Sequence, residues 1–344
     1  MPDPRPAMPA RTLGAGGPLV SRLCLGTMMF GDQTDEGEAA EMVAAFAEAG
    51  GTFLDTADGY AGGASERIVG RAVARDRARW TVATKIGNPV AGVAGSGGLS
   101  AAWIARGLPM SLERLGMEAV DLLYLHVDDE ATPLEETIEA VGEALEAGSI
   151  RAWGFSNFRA WKIAEMVRVA DRLGVARPLA AQPYYHALYR LAEIDYLPAC
   201  AHFGVGVVPY SPLARGVLTG KYAGGTPEGS RAARGDRRLL ETELRPETIH
   251  AAAHLGAHAE ATGRRLADLA VRWVLANRVV TSVLTGPRTM AQFQGYLGAL
   301  ACRFGPEDEA LVDHLVPPGG VLGAYADPRY PYRGRAVDLA GAPS

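Results

Sequence analysis

Two rhythms take turns along this chain. Short apolar runs rich in β-branched residues alternate with longer stretches in which apolar residues recur at helical spacing. The short runs predict strands beginning near Leu23, Thr52, Thr81, Asp121, Ala152, Leu179, Val205 and Ser282. A hairpin is expected before them over 12–21, with the turn GAGGP supplying its glycines. The longer stretches predict helices over 36–49, 65–74, 100–115, 133–147, 158–173, 191–202, 266–277 and 289–300, and two extra helices at 246–261 and 306–315. Their ends carry stop and start signals: Asp35 as a cap with Glu38 three residues on, Thr132 followed by Pro133, and Gly50, Gly148 and Gly174 as C-terminal stops.

Eight strand–helix alternations predict the α/β class. The expected architecture is a (β/α)8 TIM barrel with an N-terminal β-hairpin, two extra helices and long C-terminal-face loops. Residues 1–11 read as a disordered lead-in and 12–344 as one barrel domain without a linker. The stretches 87–98, 216–240 and everything after Val316 break the repeat. They are rich in glycine, proline and arginine, and are expected as long loops over one mouth.

Composition narrows the function. With 344 residues and a net charge of -5, the chain has the length for a full barrel core and no basic excess, so neither nucleic acid nor a membrane surface is expected as a partner. Cys24, Cys200 and Cys302 are far apart and lack metal-ligand spacing, which predicts packed, reduced thiols and no metal site. No apolar stretch is long enough for a membrane helix and the start has no export signal, so a cytoplasmic location is expected.

Chemistry concentrates at three strand ends. The segments GTFLDTADGY, RWTVATKIG and VDLLYLHVDD each stop abruptly at polar groups, placing Asp55, Tyr60, Lys85 and His126 where a barrel brings strand ends to one rim. Singly, each has an ordinary role: a turn cap, a packed ring, a strand-end charge, a core histidine. Together they form a proton-donating set for a carbonyl. A hydrolase or lyase built on paired acids or a metal would need more than the His126–Asp129 stretch offers.

The blocks FLDTADGY…SERIVGRAV, VATKIG, DLLYLH, WGFSNF, AQPYYHAL, VVPYSPLARGVLTGKY and GPRTMAQF occur in an order and spacing that resemble the aldo-keto reductase superfamily, over about residues 13–300. The chain looks most similar to the bacterial and potassium-channel-β-like branch. The resemblance implies a small-molecule carbonyl substrate reduced by hydride transfer, with Tyr60 as general acid, Lys85 lowering its pKa, Asp55 holding the lysine, and His126 orienting the carbonyl oxygen. It also implies that Ser156, Asn157 and Gln182 hold the nicotinamide carboxamide and that Tyr210 stacks on the ring. Ser211, Leu213, Arg215 and Lys221 then wrap the pyrophosphate, and Gly286, Arg288 and Gln292 hold the adenosine phosphate.

Arg288 at a helix start favours NADPH (NADP+) over NADH. No GxGxxG follows a first strand, so a doubly wound dinucleotide site is not expected. The chain departs from its relatives in having Gly295 and Tyr296 where many carry a Glu-Asn pair, with Tyr296 either stacking on adenine or packing, the latter being the expectation. It also departs in Asp128 and Asp129 after His126, which either shape the substrate pocket or stand as solvated loop acids, the latter being the expectation. Met28, Met29, Phe30, Trp103, Tyr184 and the C-terminal YADPRYPYRG are candidate pocket aromatics and apolars, with Trp103 read as core. Arg231, Arg234, Arg237 and Arg238 either reach phosphate or solubilise a lid. The alternative function is an NADPH-binding regulatory subunit with slow turnover.

Overall fold

The computed structural model describes residues 8–323. An antiparallel hairpin of β1 (Ala10–Thr12) and β2 (Leu19–Ser21) comes first. Eight parallel strands follow: β3 (Leu23–Gly26), β4 (Phe53–Asp55), β5 (Thr81–Ile86), β6 (Leu122–Leu125), β7 (Trp153–Ser156), β8 (Ala180–Gln182), β9 (Gly206–Val207) and β10 (Val283–Thr285). Each begins within one residue of its predicted start. The ladder runs β10-β3-β4-β5-β6-β7-β8-β9. It closes on itself where Val207 bridges Val280, the Thr281 N–H donates to Val207 O at 2.8 Å, and the Leu284 N–H donates to Pro209 O at 3.0 Å. This is the (β/α)8 barrel that the alternation predicts.

The helices α1 (Glu36–Glu48), α2 (Ala64–Val73), α3 (Ala101–Leu115), α4 (Leu134–Glu146), α5 (Ala160–Leu173) and α6 (Tyr196–Phe203) ring the sheet. Three more, α7 (Arg237–Thr242), α8 (Pro246–Ala261) and α9 (Leu266–Ala276), lie between β9 and β10, and α10 (Met290–Ala301) and α11 (Pro306–Leu315) follow. The apolar residues separate into two layers. Cys24, Phe53, Ala83, Leu122, Tyr124, Ala180 and Val208 fill the barrel, and Leu13 and Val20 of the hairpin plug its N-terminal end. A larger layer, including Leu54, Val82, Leu123, Phe155, Ile163 and Trp273, packs helices onto the outside. Cys24 and Cys200 are buried free thiols, and burial raises the pKa of both. Trp103 is core, as expected, and so is Phe30.

Four expectations are corrected. The lead-in does not extend over residues 8–11: Met8 is buried, its N–H donates to Ala49 O at 3.2 Å, and β1 begins at Ala10. Residues 1–7 lie outside the described part. The helix foreseen over 191–202 splits into a 3₁₀ turn, Leu191–Glu193, and α6. Pro198 accounts for the break, since its ring opposes the carbonyl four residues back and confines it to a first helical turn. The helix expected from Pro133 starts one residue later, and Thr132 donates to Asp129 Oδ2 at 2.6 Å and does not cap it. The loop at 216–240 contains the start of α7, which is too short to show a period. Asp35 does cap α1, accepting from Glu38 N at 2.9 Å.

Candidate active site

The strand ends meet at a cavity of about 860 Å³ at the C-terminal mouth of the barrel. Asp55 ends β4, and its carboxylate is 1% exposed inside the barrel. Lys85 on β5 is fully buried beside it. The Lys85 ammonium donates to Asp55 Oδ1, to Thr56 O at 2.8 Å and to the Tyr60 hydroxyl at 3.3 Å. All three ammonium hydrogens are thereby used, which fixes the head group without a solvent partner. The Tyr60 ring faces His126 edge-on, with centroids 5.9 Å apart and planes at 80°. Tyr60, His126 and Asp55 line the cavity and Lys85 lies directly beneath.

Local sequence explains how Tyr60 is held. It opens a turn in which Ala61, Gly62 and Gly63 all take positive φ, so the chain reverses at once into α2. A Cβ on Gly63 would come within 2.5 Å of Arg114 Cδ, so the turn also needs glycine for space. Beneath it, Ser65 Oγ lies 2.8 Å from both Thr27 Oγ1 and Thr56 Oγ1, tying α2 to the ends of β3 and β4.

The charges behave differently from the simplest expectation. Burial works against the Lys85 charge, but the Asp55 carboxylate and the Tyr60 phenol outweigh it and its pKa is raised. Burial also dominates at Tyr60: Lys85 and Arg238 pull its pKa down, Asp55 pushes it up, and the result lies above 10. Lys85 thus acts in the expected direction, but burial reverses the net outcome, and the resting phenol is a protonated acid. Asp58, two residues before Tyr60, is raised to about 7 by burial and by the neighbouring Glu66. Nothing in the sequence separated it from an ordinary turn acid.

The residues expected around the nicotinamide form one network. Gln182 Nε2 donates to Asp55 Oδ2 at 2.9 Å, Ser156 Oγ donates to Gln182 O at 2.8 Å, and Asn157 Nδ2 donates to His126 O at 2.8 Å. The Tyr210 hydroxyl donates to Asn157 Oδ1 at 2.8 Å, which sets the tilt of its ring over the cavity. Gln182 therefore braces the Asp55 carboxylate, a contact the sequence alone does not reveal. Asn157 sits at φ 60°, a conformation asparagine tolerates better than most.

After β9 the chain lines the cavity through Ser211, Leu213, Arg215 and Lys221. Ser211, Ala214, Arg215 and Gly216 have positive φ, and turns of this kind point successive N–H groups toward one concavity. Gly286, Arg288 and Gln292 complete the far wall at the start of α10, where Gln292 Oε1 accepts from Arg288 N at 2.9 Å. Arg231 and Arg234, left open between phosphate and solvent by sequence, face Arg288 and Lys221 there. Burial and these three arginines lower the Lys221 pKa. Four cations gather around one end of the cavity, Arg231 among them paired with Asp236 at 2.8 Å.

Arg237 instead faces outward to Glu241 at 2.5 Å. Tyr296 both packs against the outer layer and lines the cavity beside Gly295, with the Gly286 N–H toward its hydroxyl. The expected solvated acids have structural partners: Asp128 pairs with Lys162 at 2.6 Å, and Asp129 accepts from Leu99 N at 2.8 Å.

Of the candidate lip residues, Met28 and Met29 reach the cavity, whereas Tyr184 stands behind Tyr210 with ring centroids 5.2 Å apart. Tyr184 donates to the buried Glu243, whose carboxylate is 3.6 Å from His186 Nε2. Arg215 lies over the Tyr184 ring at 5.3 Å. This buried cluster fastens the segment after α7 to the cavity wall. Of the three long loops, 87–98 contributes Asn88 to the cavity and 216–240 most of one wall. The described part after Val316 packs at Tyr189 through Val321. The YADPRYPYRG segment lies outside the described residues. No group of three His, Cys, Asp or Glu suited to a metal occurs among the described residues.

Known proteins resemble this chain over most of its length. A "Probable voltage-gated potassium channel subunit beta" of Arabidopsis thaliana is 36% identical over 302 residues, covering 85% of this chain and 91% of the relative. A protein of the same name from Oryza sativa subsp. japonica is 39% identical over 287 residues, 81% of this chain and 87% of the relative. "Uncharacterized oxidoreductase YrpG" of Bacillus subtilis (strain 168) is 33% identical over 323 residues, 90% and 96% of the two chains. Residues 22–317, nearly the whole barrel, match the model of the Aldo/keto reductase family, and the chain belongs to that family of oxidoreductases.

Proposed function

We propose that the protein reduces an aldehyde or ketone, or oxidises the corresponding alcohol, with NADPH as its dinucleotide and Tyr60 as general acid or base. The observation that carries this reading is the buried Asp55–Lys85–Tyr60 chain opening into a cavity whose far end is ringed by Lys221, Arg231, Arg234 and Arg288. That end suits a phosphate-rich ligand, and the positive charge left after Asp236 pairs with Arg231 at 2.8 Å favours the additional 2′-phosphate of NADPH. Arg288, at the start of α10, has the fork to hold it. Ser156, Asn157 and Gln182 would hold the carboxamide, and the Tyr210 ring the nicotinamide. When bound, the reduced dinucleotide supplies the hydride.

The chain's own groups manage the proton. Tyr60 is protonated at rest and gives its proton to the carbonyl oxygen. The Lys85 ammonium at 3.3 Å then stabilises the phenolate left behind, and Asp55 keeps that ammonium charged. His126, edge-on to Tyr60, orients the carbonyl oxygen from the other side. The buried position of the pair raises the strength of each interaction above its value in water.

A second reading comes from the printed name of the two plant relatives: a dinucleotide-binding regulatory subunit with slow turnover. The complete tetrad favours catalysis. The reaction is proposed for the cytosol, and no described helix is long and apolar enough to cross a membrane. The test is to follow NADPH consumption by the purified protein against aldehydes, ketones and sugar derivatives. Turnover with at least one carbonyl is expected. NADPH binding without turnover on any of them would favour the second reading, and failure to bind either dinucleotide would overturn both.

A further inference from the structure

Histidine is concentrated on one helix of this chain. Of seven in all, His250, His254 and His258 follow one another at four-residue intervals along α8. Four residues is just over one helical turn, so the three side chains lie along one face. The packed side of the helix is formed by Ala251, Ala252, Leu255 and Ala259, whereas His250 and His254 are exposed. The core therefore makes no use of either imidazole.

His258 is already committed. Its Nε2 lies 2.7 Å from Asp308 Oδ1, and Arg264 donates to both oxygens of the same carboxylate at 2.6 and 2.8 Å, which ties α8 to α11. His250 and His254 instead meet each other, with ring centroids 4.3 Å apart and planes at 71°. The His254 Nδ1 is 3.1 Å from the His250 carbonyl oxygen. A carbonyl only accepts, so Nδ1 carries the hydrogen and Nε2 keeps its lone pair. A ring N–H bonded to a backbone carbonyl in this way is what fixes the tautomer and direction of metal-ligating imidazoles.

We propose that His250 and His254 form a two-ligand site on the outer face of α8 for a divalent late-transition ion of the copper, nickel or zinc class. Two metal–nitrogen bonds of about 2.0–2.1 Å span at most ~4 Å. Rings already 4.3 Å apart reach that span by small side-chain rotations, with the helix backbone unchanged. Imidazole nitrogens suit these ions, and paired histidines at this helical spacing can reach one ion together. No third His, Cys, Asp or Glu completes a cage among the described residues, so water fills the remaining positions. The bound ion then clips one turn of α8 to the next.

The test is equilibrium dialysis of the tag-free, full-length protein against nickel(II) chloride near neutral pH. Wild type should bind a single equivalent. Copper(II) should displace it, and excess magnesium or calcium should not, since those ions prefer oxygen ligands. His250→Gln and His254→Gln should each weaken that binding by about tenfold or more, and the double variant by little more than either, because a chelate is lost with its first ligand. His202→Gln, which removes an exposed histidine of α6, should leave it unchanged. Nickel(II) should also raise the urea midpoint of wild type and of neither α8 variant, because the two rings are held in register only by the folded helix.

Absence of bound nickel(II), binding that survives both single replacements, an equal loss with His202→Gln, or a wild-type midpoint that nickel(II) leaves unmoved would each overturn the proposal. None of these outcomes bears on the reductase reading.

Discussion

Asp58 is a buried acid without an evident purpose, and replacing it with asparagine tests how the Tyr60 turn is assembled. The side chain is 1% exposed, and a weak contact from the Gly59 N–H is all the hydrogen bonding its carboxyl group receives. Glu66 of α2 faces it with a second carboxylate, while Arg114 of α3 and Lys85 of β5 oppose the repulsion without cancelling it. Burial first and Glu66 second raise its pKa from 3.8 to about 7.

The folded pKa lies above the unfolded one, so the stability Asp58 contributes is complete below about pH 4 and is lost as pH rises to about 7. At about 1.4 kcal/mol per pH unit, the full loss is roughly 4 kcal/mol, an upper bound because local opening to water relieves it. Asparagine has the same shape and no ionisation. The stability of Asp58→Asn relative to wild type should therefore climb with pH between about 4 and 7 and then level off. Urea unfolding of both proteins at a series of pH values measures the difference. A difference that stays flat across that range would refute the buried, protonated acid.

Other predictions follow from single contacts. Arg288→Ala should weaken NADPH by about 2 kcal/mol, roughly thirtyfold, and NADH several times less, by fluorescence titration; equal losses would remove Arg288 from the 2′-phosphate. Gly70 lies inside α2, where alanine would ordinarily gain about 1 kcal/mol. A Cβ there would stand 2.1 Å from Leu115 O, so Gly70→Ala should instead destabilise by roughly 2 kcal/mol or more in chemical unfolding, through overpacking of α2 against α3.

Strand starts, the long helices and the gathering of Asp55, Tyr60, Lys85 and His126 at one rim were legible in the sequence because each leaves a local mark. An apolar run that stops at Lys85 or His126 announces a strand end and a polar group in one place, and Asp35 with Glu38 announces a helix start. What escaped depends on distant partners or on length. Asp58 and Glu66 read as ordinary polar residues until α2 and α3 bury them together. Gln182 showed nothing of its bond to Asp55, 127 positions away. The Tyr184–Glu243–His186 cluster joins segments with no pattern in common. The six-residue α7 has less than two turns in which to show a period, so Arg237 and Arg238 looked alike although the fold sends them to opposite sides. Pro133 fits a helix start although the helix begins one residue later, and Pro198 lay unheeded inside the stretch 191–202, where it confines α6 to a start at Tyr196.

The central claim is that the Tyr60 phenol, bonded to Lys85, delivers the proton that completes carbonyl reduction. Tyr60→Phe removes that hydroxyl and almost no surface. Turnover with the best aldehyde and NADPH affinity, measured on one preparation, test it most directly. Turnover should fall by about a hundredfold or more while NADPH affinity changes little. Near-full turnover in the variant would contradict the account.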